Sequence, residues 1–364
     1  MLKNRMTLYI KPTEQCNLKC LHCYNASGDT SSVLEEERLS PFLASMGQYI
    51  DKNRQGMFID VVFHGGEPTL LGVKKLENIY KTIKSSLPFL DMDFSIQTNL
   101  LMYNTPLVNF IKKRLNGQVG TSYSPGIRFV NKDKRHEKVW LENIKKCKKD
   151  GLDVYLVITL SNDYIRENEP KDLIHFLVDN NIYGFHFEPV TRNGLADKNW
   201  NKIAIDTKRY GEWKAEFANY LIESNLYTKF PKNEIVRKAK SFFDGRYIGC
   251  SGRDCMLTVM TINSDGTVGT CPNTSKDNPI CTLDDNFSDF ANSTKRRDMA
   301  IRERFQRKEC MECEFFPACN GGCCQSKECY ESKSFFSVIS HHIQHNDSFS
   351  NYIKNYIRDE GYCS

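Results

Sequence analysis

The first 190 residues alternate short β-branched or aromatic runs with amphipathic stretches at helical spacing, and this alternation restricts the fold more than any other feature. Strands are expected at Thr7–Ile10, Phe58–Phe63, Asp93–Gln97, Gln118–Ser122, Asp153–Leu160 and Tyr183–Phe187. Helices are expected between them at Leu34–Arg54, Val73–Ser86, Thr105–Leu115, Glu137–Lys149 and Pro170–Asn180. Parallel neighbours need a crossover long enough to hold a helix, so six strands with five helices make parallel βα units. The expected fold is α/β, a partial (β/α)6 barrel over residues 1–192, with functional groups at the C-terminal strand ends. Residues 193–249 read as a bridge of loop and two helices, Asp206–Glu223 and Asn233–Phe243. Residues 250–364 are rich in cysteine and open on a hairpin, Met256–Ile262 and Thr267–Thr270, whose turn at Asn263-Ser-Asp-Gly266 returns Cys271 toward Cys255, Asp-Gly supplying the positive φ of a tight turn.

Charge and hydropathy exclude several classes. A net charge of +5 on 364 residues does not argue for nucleic acid. The basic run over 132–149 places Val139, Ile144 and Cys147 on one side of a helix, which makes its lysines a solvated face. No apolar run approaches the roughly 20 residues that span a bilayer, and no secretory h-region opens the chain. A cytoplasmic location is expected, without membrane contact, and there thiols stay reduced. Fifteen cysteines then point to metal ligation rather than to disulfides.

Cys16, Cys20 and Cys23 lie in Glu14-Gln-Cys-Asn-Leu-Lys-Cys-Leu-His-Cys-Tyr24. Three thiolates at this spacing can hold three irons of a [4Fe–4S] cube and leave one iron open for chemistry. A zinc knuckle is the alternative, but zinc sites close with a fourth nearby ligand, and His22 inside the loop is the only candidate. The motif resembles the signature of radical S-adenosylmethionine (SAM) enzymes, in which the open iron chelates SAM. A second run, Cys310-x2-Cys313-x5-Cys319-x3-Cys323, resembles the C-terminal SPASM extension of that family, which carries two auxiliary [4Fe–4S] clusters. The resemblance spans about residues 7–345 and implies three clusters and SAM as cofactors.

The resemblance also assigns site residues. His64-Gly-Gly-Glu-Pro68 resembles the motif that meets the SAM amino group, giving Gly65, Gly66 and Glu67 to cofactor binding. Gln97-Thr-Asn99 resembles the family's Gln-Thr-Asn-Gly with Leu100 in place of glycine, which makes Asn99 a candidate, and Ser122 occupies the corresponding place on the fourth strand. Arg128 or Arg135 could pair the SAM carboxylate. His186 and Glu188 lie two apart on the sixth strand and share a face. His186 could contact SAM and Glu188 could transfer protons, or the two could satisfy each other. The family pattern pairs Cys250, Cys255, Cys271 and Cys323 on the auxiliary cluster nearer the active site. It pairs Cys310, Cys313, Cys319 and Cys329 on the distal one, with Cys324 and Cys363 competing for the place of Cys329. Cys147 and Cys281 read as plain thiols.

The chemistry implied is SAM cleavage to a 5′-deoxyadenosyl radical that abstracts a hydrogen atom from a substrate carbon. The first functional expectation is a maturase that cross-links or otherwise modifies a ribosomal precursor peptide. The second is an anaerobic sulfatase-maturing enzyme that oxidises Cys or Ser to formylglycine. Such relatives carry an acidic residue just after the position of Cys271, where this chain has Pro272 and Asn273. A non-catalytic iron–sulfur or zinc scaffold is the alternative of another class. Expected partners are the peptide or protein substrate and a reductant such as flavodoxin or ferredoxin. With only fifteen residues before Cys16, the peptide would be found by the barrel mouth, the bridge, the cysteine-rich domain or a separate leader-recognition protein; Trp200, Arg209, Tyr210 and Trp213 are the candidate bridge residues, with Trp200 and Trp213 equally readable as packing the domain junction.

Overall fold

The computed structural model describes residues 5–25, 31–53, 57–130, 134–245, 254–304, 307–326 and 328–356. Cys250 and Cys363 lie outside the described residues. Six parallel strands, β1 (Arg5–Ile10), β2 (Phe58–Phe63), β3 (Asp91–Ile96), β4 (Gln118–Tyr123), β5 (Asp153–Ile158) and β6 (Gly184–Phe187), follow one another around an arc. β1 is buried along almost its whole length, the pattern of a parallel strand covered on both faces. At the N-terminal rim, Arg5 grips Asp60 through two hydrogen bonds of 2.7 Å.

The crossovers are α1 (Glu36–Asn53), α2 (Gly72–Ser86), α3 (Thr105–Arg114), α4 (Lys134–Lys149) and the pair α5 (Asn162–Glu167) and α6 (Pro170–Asp179). Their starts are written in the sequence. Asn104 Oδ1 accepts from Leu107 N at 3.0 Å, and Glu169 with Asp172 forms a capping box ahead of Pro170. The short helix α5 is absent from the expected elements, because six residues carry too little periodicity to read.

Between β3 and β4 the sheet narrows to one bridge, Gln97 to Gly120, and β6 is extended by β7 (Lys232–Asn233). On the opposite side the arc gains β8 (Val259–Ile262), which pairs parallel with β1 from Thr7↔Val259 to Ile10↔Ile262. β9 (Thr267–Gly269) returns antiparallel, followed by β10 (Cys281–Thr282). The hairpin therefore belongs to the barrel sheet. Met256 lies in a helical turn, Cys255–Thr258, ahead of β8 rather than on the strand. Gly266 (φ 83°) alone in the turn adopts positive φ, and Gly266 N donates to Asn263 O at 3.0 Å. The turn spans Asn263 to Gly266, as expected, with Gly266 rather than Asp265 taking the positive φ.

The bridge helices are Thr207–Glu223, capped by Asp206, and Glu234–Asp244, capped by Asn233. Tyr210 is 2% and Trp213 5% exposed, so these two are packing residues at the junction and not a peptide surface. Trp213 Nε1 donates to Asn168 O at 3.0 Å, and its ring stacks on Phe217. Trp200 packs on the small cluster of Ile127, Val190, Ala196 and Ile203, while Arg209 is exposed. Two helices, Lys333–His345 and Asp347–Asn355, close the described chain against the bridge. No described helix is long and apolar enough to cross a membrane.

Candidate active site

Because β1 to β6 are parallel, their C-terminal ends meet at one rim, and the three-cysteine loop follows β1 there. Three segments clamp the loop. From the end of β2, Gly66 N donates to Thr13 O at 2.9 Å and Glu67 N to Gln15 O at 2.7 Å. From the β4 loop, Ile127 O accepts from Leu21 N at 2.9 Å. From beyond β6, Leu195 N donates to Cys23 O at 2.8 Å and Asn199 Nδ2 to Leu21 O at 3.1 Å. A Cβ on Gly66 would stand 2.1 Å from Gln15 O, and one on Gly65 2.5 Å from Thr13 O. The glycines are thus required for backbone approach to the cysteine loop, whichever ligand the loop also meets.

Glu67 is fully buried, and both its oxygens are engaged by the chain. Oε1 accepts from Thr69 N (3.0 Å), Thr69 Oγ1 (2.6 Å) and Thr98 Oγ1 (2.7 Å), and Oε2 from Asn99 N (2.6 Å). The carboxylate joins the ends of β2 and β3. Asn99 Nδ2 donates to Asn17 Oδ1 at 2.5 Å and lies 4.0 Å from Cys16 Sγ, which sets it against the loop. Leu100, where the resembled motif has glycine, is buried at φ 58°, a left-handed backbone that a side chain disfavours.

Ser122 Oγ accepts from Gln97 Nε2 at 3.2 Å. Of the two arginines raised from the sequence, Arg135 is exposed on α4, whereas Arg128 is 4% exposed and donates from Nη1 to Ser122 O. Burial lowers the Arg128 pKa, opposed by the charges of Cys20, Glu67 and Cys16 around it. Burial, reinforced by Arg128, holds His22 down at about 4, so this imidazole is neutral.

A polar group that sequence reasoning missed lies beneath the loop. Lys11, just after β1, is 2% exposed and donates to Pro272 O at 2.7 Å and Ser275 Oγ at 3.4 Å, joining the barrel rim to the segment after Cys271. Its ammonium lies 4.8 Å from the Tyr24 ring centroid. Burial lowers its pKa, and Glu14 is the largest opposing influence. Both Glu14 oxygens are buried without a hydrogen-bond partner among the described residues. Burial, then Lys11, pushes His64 down to about 3, so His64 Nδ1 accepts from Gly65 N (2.8 Å), with Tyr24 Oη 2.9 Å away. The signal available was a lysine at the end of a strand and a glutamate two residues before Cys16. Neither residue type at those places is unusual.

At the end of β6, His186 is 6% exposed, with Nδ1 3.1 Å from Tyr155 Oη and Nε2 3.9 Å from Glu188 Oε2. Glu188 acts electrostatically on Tyr24, Cys271 and Cys323, which places it toward both the loop and the hairpin. His186 and Glu188 are therefore neighbours.

The cysteine-rich segment separates into two groups. Burial pushes Cys271 up to about 12, and the charge of Cys323 adds to the rise. Cys255 opens the turn before β8, where Glu303 accepts from Cys255 N and Met256 N at 3.0 Å each. Cys310, Cys313, Cys319 and Cys329 line one cavity of about 440 Å³. Cys324 is exposed and lies 3.9 Å from Glu303 Oε1, apart from that cavity. Among the described residues no three His, Cys, Asp or Glu side chains are set to hold a single metal ion. Cys147 packs in the main core, and Cys281 on β10 pairs with Val268.

Residues 10–177 match the radical SAM superfamily. A cysteine-type anaerobic sulfatase-maturating enzyme of Clostridium perfringens is 24% identical over 354 residues, 90% of each chain. Residues 10–177 form a radical SAM domain. Its fold is that of anSMEcpe with bound AdoMet and the Kp18Cys peptide, at a TM-score of 0.77 and 18% identity over 96% of this chain and 99% of that one. Streptococcus suis SuiB bound to precursor peptide SuiA gives 0.59 and 17% over 91% and 75%. A radical SAM enzyme uses a [4Fe–4S] cluster and SAM, and the loop suits the cluster. It presents three thiols, and Leu18 N donates to Cys16 Sγ at 3.4 Å, the kind of amide–sulfur bond that tunes such clusters.

Proposed function

We propose that this radical SAM enzyme is a maturase that oxidises a side chain of a peptide or protein, with a sulfatase-type cysteine as its first candidate substrate. The observation that carries the reading is the match to a cysteine-type sulfatase-maturating enzyme along 90% of both chains, through the cysteine-rich segment as well as the barrel. When bound, the cluster and SAM supply a 5′-deoxyadenosyl radical. Cys16, Cys20 and Cys23 would hold that cluster, and the main chain of Gly65 and Gly66 with Asn99, Ser122, Arg128 and His186 would seat SAM. Glu67 serves by fixing Asn99 and the loop. The division into 1–192, 193–249 and 250–364 is part of the proposal, as are two auxiliary clusters. Cys250, Cys255, Cys271 and Cys323 would hold one, and Cys310, Cys313, Cys319 and Cys329 the other.

The role of the protein is to keep a reactive radical away from water and beside its target bond. The clamps hold the cysteine loop on the rim, and the Lys11 bond to Pro272 ties the segment after Cys271 to the same rim. Glu188 would take a substrate proton.

A second reading, modification of a ribosomal precursor peptide, is favoured by one residue. Pro272 stands where the resemblance to sulfatase-maturing enzymes leads one to expect an acid, and its carbonyl is committed to Lys11. Anaerobic reconstitution with SAM, a reductant and a cysteine peptide of sulfatase type separates the readings. Formylglycine detected by mass spectrometry supports the first. 5′-Deoxyadenosine without peptide oxidation, together with turnover of a precursor peptide, supports the second. Absence of 5′-deoxyadenosine under all conditions overturns both.

A further inference from the structure

The helix Lys333–His345 carries two exposed histidines four positions apart, His341 and His345, whose ring centroids lie 4.6 Å from one another with their planes inclined at 45°. Side chains at i and i+4 stand one above the other on a helix face. The opposite side of the helix fixes this face outward, because Phe335, Phe336, Ile339 and His342 are buried there. His342 sits against the bridge helix Thr207–Glu223, its Nε2 2.9 Å from Asn219 Oδ1. By contrast, His341 and His345 take part in no hydrogen bond with a described residue. Both rings also stand outside the core, so packing does not account for the pair.

The separation of the rings matches what chelation of one ion requires. A zinc ion holds an imidazole nitrogen at about 2.0–2.1 Å, which puts it about 3.2 Å from the ring centroid. Two imidazoles on one ion then have centroids about 4.5 Å apart at a right angle and about 5.2 Å apart at the tetrahedral angle. The observed 4.6 Å falls inside that interval. Twisting a ring about its metal–nitrogen bond leaves the distance unchanged, so the 45° inclination is compatible with it. His345 is also the last residue of the helix, where the unpaired carbonyls favour a cation.

We propose that His341 and His345 form a two-imidazole site for a divalent transition ion of the zinc, nickel or copper class, with water completing the coordination. Imidazole suits these ions, whereas calcium and magnesium take oxygen ligands. Helical zinc motifs present two of their ligands in the same way, as histidines at i and i+4 on one face. No third His, Cys, Asp or Glu among the described residues joins the pair, so the ion exchanges readily with solvent. While bound, it ties together the last turn of the helix that packs on the bridge. The site depends on no cysteine, so it stands or falls separately from the proposed clusters.

The test uses the untagged full chain, reconstituted anaerobically so that the cysteines proposed as cluster ligands are taken up. The probe is Ni2+–nitrilotriacetate, whose chelate leaves adjacent positions open for a pair of imidazoles, and its binding is followed by calorimetry. His341→Gln and His345→Gln, alone or together, should weaken binding about tenfold or more and to the same level, since the second imidazole of a pair binds intramolecularly and a single one has no such gain. His175→Gln, which changes an exposed histidine on α6, should leave the affinity unchanged. Combining His345→Gln with Ser337→His, at an exposed position one turn before His341, rebuilds an i, i+4 pair and should restore the affinity. No binding by the wild type, undiminished binding in the double glutamine variant, an equal loss from His175→Gln, or no recovery on adding Ser337→His would overturn the proposal.

Discussion

Replacing Glu67 with Gln tests whether the motif glutamate acts on the protein or on SAM. The amide keeps one oxygen, and with three donors converging on Oε1 that oxygen must stay there. The NH2 then faces Asn99 N, which now meets Oε2 at 2.6 Å. One charge-assisted hydrogen bond is lost, about 1.5–3 kcal/mol, and a buried N–H is left without an acceptor, about 1–3 kcal/mol. The expected loss is about 4 kcal/mol, a large fraction of the stability of an ordinary domain. Flipping the amide is worse, because it points two N–H groups at three donors. The assay is anaerobic denaturant unfolding of the metal-free protein, wild type against variant, so that neither cluster nor SAM contributes. The expected result is a transition at clearly lower denaturant without SAM present. An unchanged transition, accompanied by weakened SAM binding in the reconstituted protein, would refute the reasoning and return the carboxylate to the cofactor.

The remaining predictions concern loop and ligands. Cys16→Ala, Cys20→Ala and Cys23→Ala together should leave a folded protein that forms no 5′-deoxyadenosine, with iron reduced by about four per chain rather than abolished; continued SAM cleavage would remove the loop from the chemistry. Reconstituted wild type should hold about twelve irons if all three clusters form, and Cys329→Ala should reduce that number while Cys324→Ala does not, since Cys329 lines the cavity and Cys324 lies apart from it. Gly66→Ala must move backbone, because its Cβ would meet Gln15 O at 2.1 Å, so iron loading on the three-cysteine loop should fall; full loading would show that the clamp is dispensable.

Much of this was legible because it is local. Each barrel strand shows its own apolar run, and caps such as Asn104 and Asn233 sit directly before their helices. The Gly65-Gly66-Glu67 motif was recognisable, yet half of the contacts of Glu67 were not, since beside the local donors of Thr69 it accepts from Thr98 and Asn99, some thirty residues away in the sequence. The same holds for Lys11 and Pro272, separated by 261 positions and brought together only by the pairing of β8 with β1. Tyr210 read as a surface binder, and Trp213 as either a binder or a junction residue, because their helix has polar residues on several sides. Burial came from α6 and the C-terminal helix Lys333–His345, neither of which the helix's own spacing reveals. Leu100 shows the converse, a sequence departure from the resembled motif that the structure accommodates by keeping the left-handed backbone.

The parallel pairing of β8 with β1 bears on how the chain can be cut. With β8 removed, β1 becomes a bare margin of the sheet, offering unpaired amides and carbonyls along Met6 to Ile10, residues that are 0–4% exposed in the intact protein. Such a margin is a template for another copy to add onto. A recombinant barrel fragment stopped before the cysteine-rich segment should therefore self-associate rather than remain dispersed, even with its own catalytic cysteines intact.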